Sequence, residues 1–165
     1  FNNLYGKTFP EPQSRLTEHP LIRGLDGKQK MSKSLDNHIE LAISPEETHK
    51  RVRGAFTDPQ RLRKEDPGNP LICNVYSLHK YFNPDKLDDI YSRCVAADIG
   101  CVEDKEILST GINEMLREFR ERREELASKP KYVSEVLAEG AERARSIAQQ
   151  TLSEVRERMG ISQSI

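Results

Sequence analysis

Apolar positions in the second part of the chain recur at three-and-four spacing, the mark of helices that bury one face. Leu71, Ile72, Val75, Leu78 and Phe82 predict a helix from Pro70 to Tyr81. Asn83-Pro84 restarts a second helix that continues to about Asp98 and ends at Gly100. Glu103 to Ala127 reads as one long helix, with Ile107, Leu108, Ile112, Met115, Leu116, Phe119 and Leu126 on one face. Pro130 interrupts, and a last helix runs from about Tyr132 to Met159 through Val133, Val136, Leu137, Leu152 and Val155. Gly140, Ala141, Ala144 and Ala148 line its middle, so a neighbouring helix is expected to approach closely there. Gly160 is the expected stop.

Ahead of Pro70 the helical period is weak. Residues 1–25 are rich in proline, which pushes each preceding residue into extended conformations, as at Thr8-Phe9-Pro10-Glu11-Pro12. Leu4-Tyr5-Gly6 resembles a helix end, and the segment as a whole reads as one late strand and loops of a larger sheet. His38 to Ile43 alternates polar and apolar residues, which predicts a short extended segment. Ser44-Pro45-Glu46-Glu47 is a helix start: the serine caps, the proline takes the first helical position, and Glu47 completes a capping box. That helix runs to about Gly54, and Asp58, Pro59, Asp66, Pro67 and Gly68 make 57–69 a loop. The fold class is mainly α: a helical bundle attached to the tail end of an α/β domain.

Bulk properties narrow this picture only modestly. With 165 residues, 35% hydrophobic and 32% charged, the chain suits one compact domain or slightly more. No stretch approaches the roughly 20 apolar residues of a membrane helix, and no charged leader precedes an apolar run. A net charge of -1 removes the global signature of a nucleic-acid protein, though local basic surfaces decide binding. Cys73, Cys94 and Cys101 are an odd set without a secretory signal, which favours reduced thiols and a cytoplasmic location. The opening Phe1-Asn2-Asn3-Leu4-Tyr5-Gly6 lacks an initiator methionine and reads as a piece of something longer.

The chemistry concentrates in Gly24-Leu25-Asp26-Gly27-Lys28-Gln29-Lys30-Met31-Ser32-Lys33-Ser34. When a nucleoside triphosphate reacts at its α-phosphorus, pyrophosphate leaves and negative charge builds on the β- and γ-phosphates. Cations preorganised toward that charge gain more from the transition state than from the ground state. Lys30 and Lys33 carry compact charges on flexible stems, and a curled loop at this spacing points both the same way. Ser32 and Ser34 are small hydroxyl donors, Met31 is an adaptable apolar anchor, and Gly24 and Gly27 supply backbone freedom. By composition alone the same stretch suits an ordinary solvated loop.

The string itself decides between these. Lys30-Met31-Ser32-Lys33-Ser34 is identical to the signature of the class I aminoacyl-tRNA synthetases. Leu25-Asp26-Gly27-Lys28, Asn69-Pro70-Leu71, Asn74-Val75-Tyr76, Glu139-Gly140-Ala141-Glu142-Arg143-Ala144 and the closing Met159-Gly160 resemble the tryptophanyl branch. The resemblance covers nearly the whole chain. It implies that residues 1–43 are the C-terminal edge of a Rossmann-like, nucleotide-binding catalytic domain, and that 44–165 form a helical anticodon-binding domain. It also implies ATP with Mg2+, tryptophan and tRNA(Trp) as ligands, and a homodimer in the full-length enzyme. Lys30 and Lys33 take the catalytic role toward the ATP phosphates, supported by Met31, Ser32 and Ser34. The family's HIGH-type signature and its tryptophan-selecting residues do not occur here, so the chain by itself is expected to be inactive.

Some members of this branch hold a four-iron, four-sulfur cluster on four cysteines in the region of Cys73, Cys94 and Cys101. Here Asp104 stands where the last cysteine belongs, and the gap from Cys73 to Cys94 is short, so the cluster is not the expected outcome. Small buried thiols are the alternative. His19, His38, His49 and His79 have no metal-ligand spacing and read as surface or structural residues. The run from Arg117 to Glu125 mixes signs at helical spacing, which suits a salt-bridged solvent face better than an RNA site. Two other readings stay open at this stage. One is a helical module that binds tRNA or a partner without catalysis, and the other is a tyrosyl-type relative.

Overall fold

A computed structural model describes residues 1–161. Among them are six α-helices: α1 Asn2–Tyr5, α2 Pro45–Arg53, α3 Asn74–Phe82, α4 Leu87–Val95, α5 Cys101–Ala127 and α6 Pro130–Arg158. Single 3-10 turns form at Lys33–Leu35, Pro70–Ile72 and Pro84–Lys86. No helix among the described residues is long and apolar enough to cross a membrane.

The helix starts follow their sequences. Ser44 Oγ accepts the backbone N–H of Glu47 at 3.2 Å, and Pro45 occupies the first turn of α2. Glu46 rather than Glu47 brings its carboxyl to that end: its own amide and the Ser44 hydroxyl hold it below the ordinary glutamate value. Ser44→Ala is expected to cost about 1 kcal/mol in urea denaturation, the usual loss of a cap. At the far end, α6 stops at Arg158 and Gly160 turns away with φ 69°.

The predicted helix over 70–81 is divided. Asn69 Oδ1 accepts the N–H of Leu71 at 3.1 Å and tightens Pro70–Ile72 into a 3-10 turn. Cys73 is then extended (ψ 122°) and starts α3. Leu71 and Ile72 are therefore exposed rather than in the core.

The strand predicted within residues 1–25 is absent among the described residues, where the only pairing is an isolated antiparallel bridge between Arg23 and Lys30. Side chains take the backbone groups a sheet would have used. The carbonyl of His38 accepts from Arg51 Nη1 at 3.1 Å and that of Leu41 from Arg120 Nε at 3.1 Å. Near the chain start, Asn2 Oδ1 accepts the N–H groups of Thr8 and Phe9, each at 3.0 Å.

The chain divides into two compact units. The larger spans Glu18–Arg123 and holds α2, α3, α4 and most of α5. Its core joins Leu25, Val52, Ala55, Cys73, Val75, Leu78, Leu108 and Ile112, with Ile22, Ile39, Tyr76, Tyr81, Phe82 and Leu116 packed around them. Leu25 brings the lysine loop into that cluster. Polar contacts join α5 to α2: Lys105 Nζ to the Arg53 carbonyl (2.9 Å), Ser109 Oγ with His49 Nδ1 (2.8 Å) and Arg120 Nη2 to Thr48 Oγ1 (2.9 Å).

The other unit comprises Phe1–Thr17 and the residues from Glu124 onward. The Phe1 ring packs on Tyr5 and Phe9 at 4.9 and 5.2 Å, and Arg158 Nη1 donates to the Tyr5 carbonyl at 3.4 Å. No residue of α6 is buried, and a Cβ built at Gly140 would meet no atom within 4 Å. The close helical neighbour expected along Gly140, Ala141, Ala144 and Ala148 is thus not supplied by the described residues.

Candidate functional site

The lysine loop is a tight hairpin-like turn fastened at its base. The N–H of Gly24 donates to the Gln29 carbonyl at 2.9 Å, and that of Met31 to the Ile22 carbonyl at 2.8 Å, on either side of the Arg23–Lys30 bridge. Gly27 sits at the tip with φ 69°, a conformation that favours glycine. Gly24 serves differently from the freedom expected of it. Any Cβ there would collide with the Asn37 amide, so a side-chain-free residue is needed for close approach.

Four side chains hold the turn and its flank. Buried Asn37 accepts the N–H of Ser32 at 2.8 Å and donates to Asp26 Oδ2 at 3.2 Å and the Lys30 carbonyl at 3.3 Å. Asn74, at the start of α3, donates to the Gly24 carbonyl at 2.8 Å. Asp26 Oδ1 accepts the Lys28 N–H at 3.1 Å. That bond, with smaller help from Asn37, holds the Asp26 carboxyl below the usual aspartate value. Past the signature, Asp36 adopts a left-handed φ of 48° and Arg51 of α2 grips its carboxylate at 3.0 Å.

The five predicted residues come together on this frame. Lys30 and Lys33 are exposed, and among the described residues neither ammonium has a hydrogen bond or a carboxylate partner. Ser32 opens the 3-10 turn Lys33–Leu35, and its hydroxyl meets that of Ser34 at 2.9 Å instead of capping. Met31 is half-buried. The result is two unneutralised cations, two hydroxyls and a fixed backbone on a surface turn, an arrangement suited to a polyanion such as a triphosphate. The sequence assigned no role in holding the loop to Asp26, Asn37, Arg51 or Asn74, although Asp26 and Asn74 lie in strings that carry the family resemblance.

The cysteine region does not fit an iron–sulfur cluster. Such clusters are held by four thiolates. Cys73 is buried, and burial pushes its thiol up to about 11. Burial also raises Cys94, whose Sγ faces Arg61 Nη1 at 3.9 Å. Asp104 is committed elsewhere, its Oδ1 lying 3.1 Å from Nε2 of the fully buried His79. Among the described residues, no three His, Cys, Asp or Glu side chains are grouped to hold a metal ion. Anaerobically prepared protein is therefore expected to be colourless, and a brown protein absorbing near about 400 nm would contradict this.

Arg117 bonds Glu114 at 2.9 Å, and Arg120 reaches Asn113 at 2.8 Å as well as Leu41 and Thr48.

Comparisons with known proteins place the chain in a family. A family profile described as "tRNA synthetases class I (W and Y)" matches residues 1–117. Over 163 residues the chain is 48% identical to the tryptophan–tRNA ligase of Aquifex aeolicus, covering 98% of this chain and 41% of that protein. It is 38% identical to the tryptophan–tRNA ligase of Thermotoga maritima, covering 98% of this chain and 49% of the relative. The crystal structure of Campylobacter jejuni tryptophanyl-tRNA synthetase complexed with ADP and tryptophan superposes with a TM-score of 0.79 at 32% identity. That match covers 96% of this chain and 50% of the other. The chain spans about half the length of the curated relatives it matches. It belongs to the class I tRNA synthetases, in the group specific for tryptophan and tyrosine (W and Y).

Proposed function

We propose that this chain is the part of a tryptophan–tRNA ligase that carries the triphosphate-facing loop and the tRNA-reading helices. In the intact enzyme the tryptophan carboxylate attacks the α-phosphorus of ATP, giving tryptophanyl-adenylate and pyrophosphate. The adenylate then acylates the terminal ribose of tRNA(Trp). Lys30 and Lys33 stabilise the charge that grows on the departing phosphates, and the hydroxyls of Ser32 and Ser34 add hydrogen bonds to phosphate oxygens. Mg2+ enters with ATP as part of the substrate, and none of the residues described above is assigned to hold it.

The observation that carries this reading is the pair of unpartnered ammonium groups on a turn whose backbone is fixed by Asn37 and Asn74. A solvated loop has no need of two buried amides beneath it. Residues 1–43 act as the edge of the catalytic nucleotide-binding domain, and 44–165 as the anticodon-binding domain. The intact enzyme works as a cytoplasmic homodimer, with tryptophan bound by the part of the relatives that this chain does not span.

Pyrophosphate exchange tests the proposal. The intact protein is expected to exchange labelled pyrophosphate into ATP when tryptophan is added and not when tyrosine is added. The chain of 165 residues alone is expected to show no exchange. Tyrosine-dependent exchange by the intact protein would overturn the substrate, and exchange by the chain alone would overturn the divided site.

A further inference from the structure

We infer that Asn37 is a positioning residue for the lysine loop, setting the spacing of Lys30 and Lys33 without touching the nucleotide. The inference rests on the phosphate-binding role proposed for those lysines. Asn37 lies three residues beyond the signature and is buried at 4% exposure, although Leu35 and Asp36 just before it are exposed. A buried amide needs partners for its oxygen and both N–H groups, and this one finds them all on the loop.

Its Oδ1 accepts the Ser32 N–H, its Nδ2 donates to the Lys30 carbonyl and to Asp26, and its backbone carbonyl accepts the Leu25 N–H at 2.7 Å. One side chain therefore holds the main chain on both sides of Met31, between the two lysines. Gly24 is bare where the amide packs, and Asp36 takes its left-handed turn immediately before. The Arg51 grip on Asp36 fixes the position from which the amide reaches. The donor and acceptor pattern is specific. Aspartate at 37 would set a carboxylate against that of Asp26 and an acceptor against the Lys30 carbonyl.

Preorganisation gives the expected kinetic signature. Cations that must meet developing charge lose rate steeply when displaced by as little as an ångström, about a hundredfold. Asn37→Asp in the intact ligase is expected to lower kcat for tryptophan-dependent pyrophosphate exchange to that extent. The tryptophan KM and the transfer of preformed adenylate to tRNA are expected to stay within about threefold of wild type. Asp26→Asn added to Asn37→Asp restores a donor–acceptor pair between the two side chains, and part of the lost kcat is expected to return. Asn37→Ser removes the amide without adding charge. It is the comparison to use if Asn37→Asp lowers the melting temperature, and the same selective loss of kcat is expected.

Lys33→Ala run in parallel separates the two readings. A wild-type kcat for Asn37→Ser and Asn37→Asp beside an impaired Lys33→Ala overturns the positioning role alone. Wild-type kcat for all three overturns the role of the loop itself. Equal loss in activation and transfer marks Asn37 as merely structural and also overturns the inference.

Discussion

Replacing Lys30 or Lys33 with alanine in the intact ligase is expected to slow tryptophan-dependent pyrophosphate exchange about a hundredfold, the usual cost of one transition-state donor. Both lysines are exposed, both lack a carboxylate partner among the described residues, and neither side chain packs in the core. Folding therefore has little at stake in either. The loss belongs in kcat more than in the ATP KM, since charge on the β- and γ-phosphates is greater in the transition state. The double replacement is expected to fall short of the product of the single effects, because two groups on one turn serve the same departing charge. Single variants within about threefold of wild type would remove the loop from the chemistry.

The largest expected effect on stability lies at Asp104. Asn83 Nδ2 donates to His79 Nδ1 at 3.0 Å and to the Ile107 carbonyl at 3.4 Å, so Nδ1 is the acceptor of the ring. Nε2 then carries the proton and donates it to the Asp104 carboxylate. Asp104→Ala leaves that N–H buried without a partner, at a cost of about 2 kcal/mol. For a domain of this size the melting midpoint is expected to fall by about 4–8 °C. Asp104→Asn keeps an oxygen in place to accept the bond and is expected to recover most of the loss. Asp104→Ala with wild-type stability in urea would show that the pair contributes nothing.

The same pair shows where sequence reading stopped. Asp104 stood out only as a missing cysteine, and His79 as a histidine without metal spacing. Their partnership joins α3 to α5 across 25 positions of chain, which no local pattern encodes. The role proposed for the signature lysines was legible because a five-residue string suggests it directly. Their support was not, because Asn37 and Asn74 are common polar residues whose importance comes from burial. The helices were legible where a cap or a stop marked them, as at Ser44 and Gly160. The strand expected within residues 1–25 does not form among the described residues, where Asn2 takes the N–H groups of Thr8 and Phe9. Alternation predicts an extended chain, but pairing also needs a free edge.

Separating the two half-reactions of the intact ligase tests the role of the loop most directly. Adenylate formation is measured by single-turnover release of pyrophosphate, and transfer by acylation of tRNA from adenylate made beforehand. With Lys30 and Lys33 both replaced by alanine, adenylate formation is expected to slow at least about a hundredfold. Transfer is expected to proceed at its wild-type rate. Adenylate formation at the wild-type rate in that variant, or equal slowing of both steps, would contradict a loop whose lysines act on the departing phosphates.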